Sequence, residues 1–150
     1  PMVGRAGILI EAAKAYPSAS YVGSDMDAIQ LEGAVENIHS AGLNGRVTIM
    51  HADATRLPIR SGSVDVILTD LPFGKKHQKA DNSQLYPSLF AEFLRVLKPG
   101  CVAVILTTCK AIVEDIVLVE NSGFEACWRR QVFVGGLKAS MHLIRKLAVD

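Results

Sequence analysis

One hundred and fifty residues, with 16 Lys+Arg against 15 Asp+Glu and a net charge of +1, suit a single domain, 1–150, and exclude one that grips a polyanion by charge alone. Hydrophobic residues make up 49% and mean hydropathy is +0.25, which excludes disorder. Cys101, Cys109 and Cys127 are odd in number and set among apolar residues, so they read as reduced, buried thiols and not as a disulfide frame or a zinc site.

The chain opens with Pro1-Met2-Val3-Gly4-Arg5-Ala6-Gly7 and runs into Ile8-Leu9-Ile10-Glu11-Ala12-Ala13-Lys14-Ala15-Tyr16. The second stretch predicts an amphipathic helix with Ile8, Leu9, Ala12, Ala13 and Tyr16 on its apolar face. A Gly-containing loop that opens a helix is where the polar end of a cofactor meets backbone N–H groups. Residues 19–24 predict a short strand ending in Asp25-Met26-Asp27. Asp25 follows the Gly loop at about the twenty-residue spacing where a Rossmann-type carboxylate accepts from ribose hydroxyls. Asp27 reads as the N-cap of a helix reaching Ser40, with Gln30 at the capping-box position, Leu31, Ala34, Val35 and Ile38 as core stripe, and Gly42 as C-cap.

Arg46 to Met50 predicts a strand that gives onto His51-Ala52-Asp53-Ala54. His51 has no sequence-local metal partners and reads as structural. Val64 to Leu68 is apolar but for Asp65, which predicts a buried parallel strand. Thr69-Asp70-Leu71-Pro72-Phe73-Gly74 follows, at the strand end where ligands bind in open α/β sheets. Proline stiffens that turn and carries no N–H. Asp70 can be held at a fixed distance from a substrate, and Phe73 offers a flat face to a planar ring.

Lys75, Lys76, His77 and Lys79 form a basic run that suits either a solvated loop or phosphate contacts. Tyr86, Leu89, Phe90, Phe93, Leu94 and Leu97 mark an amphipathic helix stopped by Lys98-Pro99-Gly100. Val102 to Thr107 predicts a buried strand, and Ile112, Val113, Ile116, Val117 and Val119 a further helix. Phe124 to Val134 and Ala139 to Leu147 predict two strands around Gly135-Gly136-Leu137, with Trp128 and Phe133 packing. No stretch is a signal peptide or long enough to span a membrane, so the expected compartment is the cytoplasm, or the nucleus.

Asp70-Leu71-Pro72-Phe73-Gly74 resembles the Asp/Asn-Pro-Pro-aromatic motif of S-adenosylmethionine-dependent amino methyltransferases. Its wording is similar to that of the RNA guanine-N2 methyltransferases that carry a THUMP domain, especially their eukaryotic tRNA branch. Residues 1–7 resemble that family's Asp-Pro-Met-Cys-Gly-Ser/Thr-Gly-Thr loop. Val3 stands at the Cys position, Ala6 replaces the second glycine, and Gly7 sits where Thr is usual. Asp53 and Ala54 match the motif in which an Asp accepts from the adenine amino group. Lys98-Pro99-Gly100 and Gly135-Gly136-Leu137 have counterparts as well, so the resemblance spans the chain.

The resemblance implies a Rossmann-like class I methyltransferase sheet with flanking helices and an antiparallel final strand. It implies seven strands, of which six are counted. The first, central strand and the leading Asp of the loop would lie before Pro1, so a truncated catalytic domain is expected. S-Adenosyl-L-methionine is the implied cofactor, contacted by Pro1, Gly4, Gly7, Asp25, Met26, Asp53, Ala54 and Asp70. The implied reaction is methyl transfer to guanine N2 in RNA, foremost tRNA, with Asp70, Leu71, Pro72 and Phe73 as catalytic residues and no metal. The branch also implies a small zinc-binding activator protein as partner, for which the strand at Arg46 to Met50 is a docking edge. Two alternatives stand beside this: methylation of adenine N6 or a protein glutamine, and an inactive methyltransferase-like binding module.

Overall fold

A computed structural model describes residues 1–71 and 79–148, the side chains of 79–81 excepted. Pro72, Phe73, Gly74, Lys75, Lys76 and His77, and the side chain of Lys79, therefore lie outside the described residues. The chain divides into two compact units, Pro1–Leu57 and Pro58–Asp150.

The first unit runs α1 (Gly7–Ala15), β1 (Tyr21–Asp25), α2 (Ala28–Ser40) and β2 (Val47–His51). The two strands pair in parallel, with Asp25 opposite His51. Asp27 caps α2 as expected, its Oδ1 accepting from Ile29 N at 2.9 Å and Gln30 N at 3.4 Å. The unit's core gathers Ala6, Ile10, Ala13, Ala34, Ile38, Leu43 and Val47. This corrects the apolar face of α1. Steps of four and three put Ala6, Ile10 and Ala13 on one side, whereas Ile8 and Tyr16 are exposed. Helical spacing is the reason: residues three and four apart share a face, and Ile8 lies nearly opposite Ile10, while Leu9 still packs against the core as expected. Gly23 sits at that contact: a Cβ there would meet Val3 Cγ2 at 2.8 Å, Ile49 Cδ1 at 2.9 Å and Leu9 Cδ2 at 3.0 Å.

The second unit runs β3 (Val64–Asp70), α3 (Lys79–Val96), β4 (Leu97–Thr107), α4 (Lys110–Val117), β5 (Phe124–Val134) and β6 (Leu137–Lys146). Its sheet has the order β3-β4-β6-β5. β3 is parallel to β4, and β6 is antiparallel to both β4 and β5, so the antiparallel final strand is as expected. The six expected strands form, but in two ladders and not in one sheet. Among the described residues β1 has β2 as its one strand neighbour, and β3 has β4.

Several expectations change here. α3 begins at Lys79, about two turns before Tyr86. Pro87 in the helix marks a helix start to a sequence reader, because proline is at home in a first turn and costly further in. Leu97-Lys98-Pro99-Gly100 ends α3 but is already the start of β4, with Gly100 at φ +77°. β3 is buried on one face only: Ile67 and Thr69 are buried, while Val66 is 52% and Leu68 37% exposed on the other. Trp128 is 43% and Phe133 71% exposed, because β5 is the outer strand. All three thiols are free and half-buried, not buried. Tyr86, Phe90 and Phe93 do form core, Phe90 meeting Phe124 edge-on with centroids 5.9 Å apart. No helix of the described residues is long and apolar enough to cross a membrane.

Candidate active site

In the first unit the expected cofactor residues gather around the C-terminal ends of β1 and β2. The opening loop is laid along β1, with Val3 N donating to Ser24 O at 2.9 Å. Gly4 follows at φ +51°, and its N–H donates to Asp25 Oδ2 at 2.9 Å. The other carboxylate oxygen, Oδ1, accepts from Asp27 N at 3.0 Å. Ala6 then takes the left-handed conformation, φ 65° and ψ 19°, and makes no side-chain cap to α1. It is the position at which the resembled loop carries a glycine, and a Cβ in this left-handed conformation is under strain. Buried contact of that methyl with the core of the unit offsets part of it.

Asp25 also binds β2 through its backbone: Ala52 N donates to Asp25 O at 3.0 Å. This brings Asp53 to the neighbourhood of Asp25. Asp53 Oδ1 accepts from Thr55 N and from Thr55 Oγ1, both at 2.8 Å. The Thr55 N–H, and then its hydroxyl, hold the Asp53 carboxyl below the usual carboxylate range. Ala54 is buried and Met26 is exposed. His51 donates through Nε2 to Met26 O at 2.8 Å, a structural bond that ties the two strand ends together. Pro1 begins the loop and Gly7 is the first residue of α1.

In the second unit Asp70 ends β3 and pairs with Leu106. Leu71 N donates to Leu106 O at 2.8 Å, and the Leu71 side chain is buried. The Asp70-Leu71 segment is thus held to β4 through its backbone. Pro72 and Phe73 lie outside the described residues.

Sequence reasoning missed a polar cluster beside this strand end. Tyr86 counted as core, yet its hydroxyl meets Thr107 Oγ1 at 2.7 Å. The same Oγ1 accepts from Cys109 N at 2.9 Å. Asn82, one helical turn before Tyr86, donates from Nδ2 to Cys109 Sγ at 3.3 Å. Burial pushes the Tyr86 hydroxyl up to about 12. The available signal was Thr107-Thr108-Cys109, polar residues at the C-terminal end of an apolar strand. A cavity of about 250 Å³ lies elsewhere, between α4, β5 and β6, lined by residues such as Val117, Trp128 and His142. None of the expected site residues lines it.

The donor set of the first unit fits S-adenosylmethionine. A carboxylate oxygen can accept more than one hydrogen bond, so Asp25 keeps capacity for hydroxyl donors beside its two backbone partners. The first turn of α1, with no side-chain cap and no acidic residue, leaves backbone N–H groups for a carboxylate.

A family model described as the RMKL-like methyltransferase domain, UPF0020, matches residues 1–140. The U6 snRNA (guanine-N(2))-methyltransferase THUMPD2 of Mus musculus is 42% identical over 106 residues, covering 71% of this chain and 20% of that protein. The tRNA (guanine(6)-N(2))-methyltransferase THUMP3 of Mus musculus is 33% identical over 165 residues, covering 99% of this chain and 32% of that protein. The chain therefore spans a fifth to a third of the length of these curated relatives. Among solved structures, TrmN from Thermus thermophilus superposes with a TM-score of 0.85 at 29% identity, over 98% of this chain and 42% of that one. A SAM-dependent methyltransferase from Methanosarcina mazei gives 0.77 at 15% identity, over 97% and 89%, which bears on the fold alone. The fold is that of the class I methyltransferases. With a match running from residue 1 to residue 140, the chain belongs to the RMKL-like methyltransferase-domain family, UPF0020.

Proposed function

We propose that this chain is the catalytic domain of an S-adenosylmethionine-dependent methyltransferase acting on guanine N2 in RNA, foremost tRNA. The observation that carries this reading is the pinned strand end, where Leu71 N bonds to Leu106 O and Asp70 opens the Asp-Leu-Pro-Phe-Gly motif. The names of the relatives above support the substrate class. Those named for U6 snRNA reach 42% identity over 71% of this chain, against 33% over 99% of it for those named for tRNA, so U6 snRNA stands as the second reading.

When bound, S-adenosylmethionine supplies a methyl group on a positively charged sulfur. Gly4, Gly7, Asp25, Met26, Asp53 and Ala54 are the residues proposed to hold it, Asp25 at the ribose and Asp53 at the adenine amino group. The exocyclic amine of guanine is a poor nucleophile because its lone pair is delocalised into the ring. Asp70 and the Leu71 carbonyl accept its N–H bonds and draw that lone pair out of conjugation. The same two acceptors stabilise the positive charge that develops on nitrogen, and they are preorganised by the β3–β4 ladder. Positioning supplies much of the remainder. The base leaves its stack to be reached. The zinc-binding activator stays an expectation: the outer edge of β2 is open among the described residues, and nothing else in the chain bears on it.

The test is tritiated-methyl transfer by the full-length protein to tRNA, U6 snRNA, DNA and protein. Label on guanine N2 of one RNA is expected. Label on adenine or on protein glutamine alone, or none, overturns the reading.

A further inference from the structure

The charges of this chain are unevenly placed. Five of its 16 Lys+Arg and none of its 15 Asp+Glu fall within residues 126–149, the stretch that holds most of β5, all of β6 and the turn between them. A net charge of +1 hides this segregation. Arg129 is taken up by Glu114 at 2.7 Å and Arg145 by Glu125 at 3.0 Å. Arg130 and Lys138 are exposed, and neither pairs with a carboxylate among the described residues. The Arg130 guanidinium lies 5.6 Å from the centre of the Trp128 ring.

Strand register relates this hairpin to the Asp70 strand end. Asp70 pairs with Leu106, Leu106 with Met141 and Met141 with Arg130. The four residues form one row across the sheet and share a face. Arg130 therefore stands on the same side of the sheet as Asp70, three strand spacings or about 14 Å away. β5 and β4 are both antiparallel to β6, so β5 runs in the direction of β3. Beyond the row it continues the way β3 delivers Asp70. β4 accompanies β6 only as far as Thr107, opposite Ser140. The rungs Val132–Ala139, Phe133–Lys138 and Val134–Leu137 project past it, roughly 10 Å of ladder. At this tip Phe133 is 71% exposed, opposite Lys138.

We infer that the β5–β6 hairpin is an RNA-binding arm, in which Phe133 stacks on an unpaired base flanking the target nucleotide while Arg130 and Lys138 hold neighbouring phosphates. The inference rests on the function proposed above and adds to it a surface for the substrate away from Asp70 itself. Charge selects the occupant. An apolar tip that docks on a protein has no need of a strand pair cleared of carboxylates, whereas a phosphate backbone is repelled by each carboxylate near it. A Phe ring accepts any base, because every base has a π-face. Phosphate contacts position the strand without reading it. Together they hold the nucleotides around the target against the end of the sheet where Asp70 lies.

The test uses the full-length protein, with unmodified tRNA and U6 snRNA transcripts as probes. Fluorescence anisotropy measures RNA affinity over a series of salt concentrations, and calorimetry measures S-adenosylmethionine affinity. Phe133→Ala should weaken RNA binding about tenfold or more with the salt slope unchanged, and Phe133→Tyr should keep parent affinity. The double variant Arg130→Gln, Lys138→Gln should reduce the slope of log affinity against log salt by about 1.4, the value of two single-strand phosphate contacts. Cofactor affinity, and the methyl-transfer rate at saturating RNA, should stay at parent values in all of them. Parent RNA affinity in Phe133→Ala, or a parent slope in the double variant, overturns the inference while leaving the proposed function intact. Loss of a co-purifying protein from variants that bind RNA like the parent overturns it in favour of a protein partner. A parent protein that binds neither RNA overturns the proposed function, and this inference with it. If Phe133→Ala does not fold, the double variant alone decides.

Discussion

The carboxylate of Asp25 takes the backbone N–H of Gly4 at 2.9 Å, across twenty-one residues of sequence. That one bond closes the opening loop onto the end of β1, and the other carboxylate oxygen fixes the start of α2 through Asp27 N. Asp25 therefore shapes the loop as well as offering acceptors to a ligand. Asp25→Ala is expected to weaken S-adenosylmethionine binding by roughly 1–3 kcal/mol, since hydroxyls lose a charged acceptor. It should also speed amide exchange at Gly4. Calorimetry reads the first and hydrogen exchange the second. Faster exchange with unchanged affinity would reduce Asp25 to a loop clamp.

Gly23 tests the packing of the first unit. A methyl group there has three side chains within 3.0 Å, from Val3, Leu9 and Ile49. Overpacking of this kind costs about 1–3 kcal/mol. Gly23→Ala should lower the urea midpoint without changing the slope of the transition. A midpoint equal to the parent's would mean that the loop and α1 yield to accommodate the methyl.

Tyr86 gives the second unit a dependence on alkaline pH. Burial raises its hydroxyl from 10.0 to about 12, with the bond to Thr107 opposing. The folded chain thus holds the phenolic proton more tightly than the unfolded one. This contribution to stability is fully present below about pH 10 and is lost as pH climbs towards 12. Tyr86→Phe should cost about 1 kcal/mol at neutral pH, the value of one hydrogen bond, and should flatten the loss of stability above pH 10. Urea denaturation across that range makes the comparison. Equal slopes in parent and variant would assign the alkaline loss to other groups.

Asp70 separates chemistry from binding. Its proposed acceptor role is greatest in the transition state, so Asp70→Ala should leave cofactor affinity nearly intact. Single-turnover methyl transfer should fall by about a hundredfold or more, the range for one preorganised contact to a developing charge. Transfer at the parent rate would show that the motif is not catalytic and would favour the binding-module alternative. An unfolded variant would show that Asp70 holds the strand end together.

The elements were legible in the sequence wherever a local rule governed them. Asp27 caps α2 because a short carboxylate before an apolar stripe has nearby N–H groups to accept from, and the structure has those bonds. The two strands around Gly135-Gly136 are joined by a turn that only glycines make easily, and both glycines have positive φ.

The sequence by itself determined the strand and helix inventory, because periodicity and caps act over three or four residues. It also carried the motif at Asp70, because a strand end followed by proline reads the same in any context. Only the tertiary structure decided which apolar residues are covered. Val66, Leu68, Trp128 and Phe133 are as apolar as their buried neighbours, yet they are exposed. Coverage depends on which element lies against a given face, and hydrophobicity records no partner. The tertiary structure alone also brought Asn82 and Tyr86 of α3 to Cys109 and Thr107. Those partners lie 27 and 21 residues along the chain, and no local rule links a helix to the strand end on which it folds back.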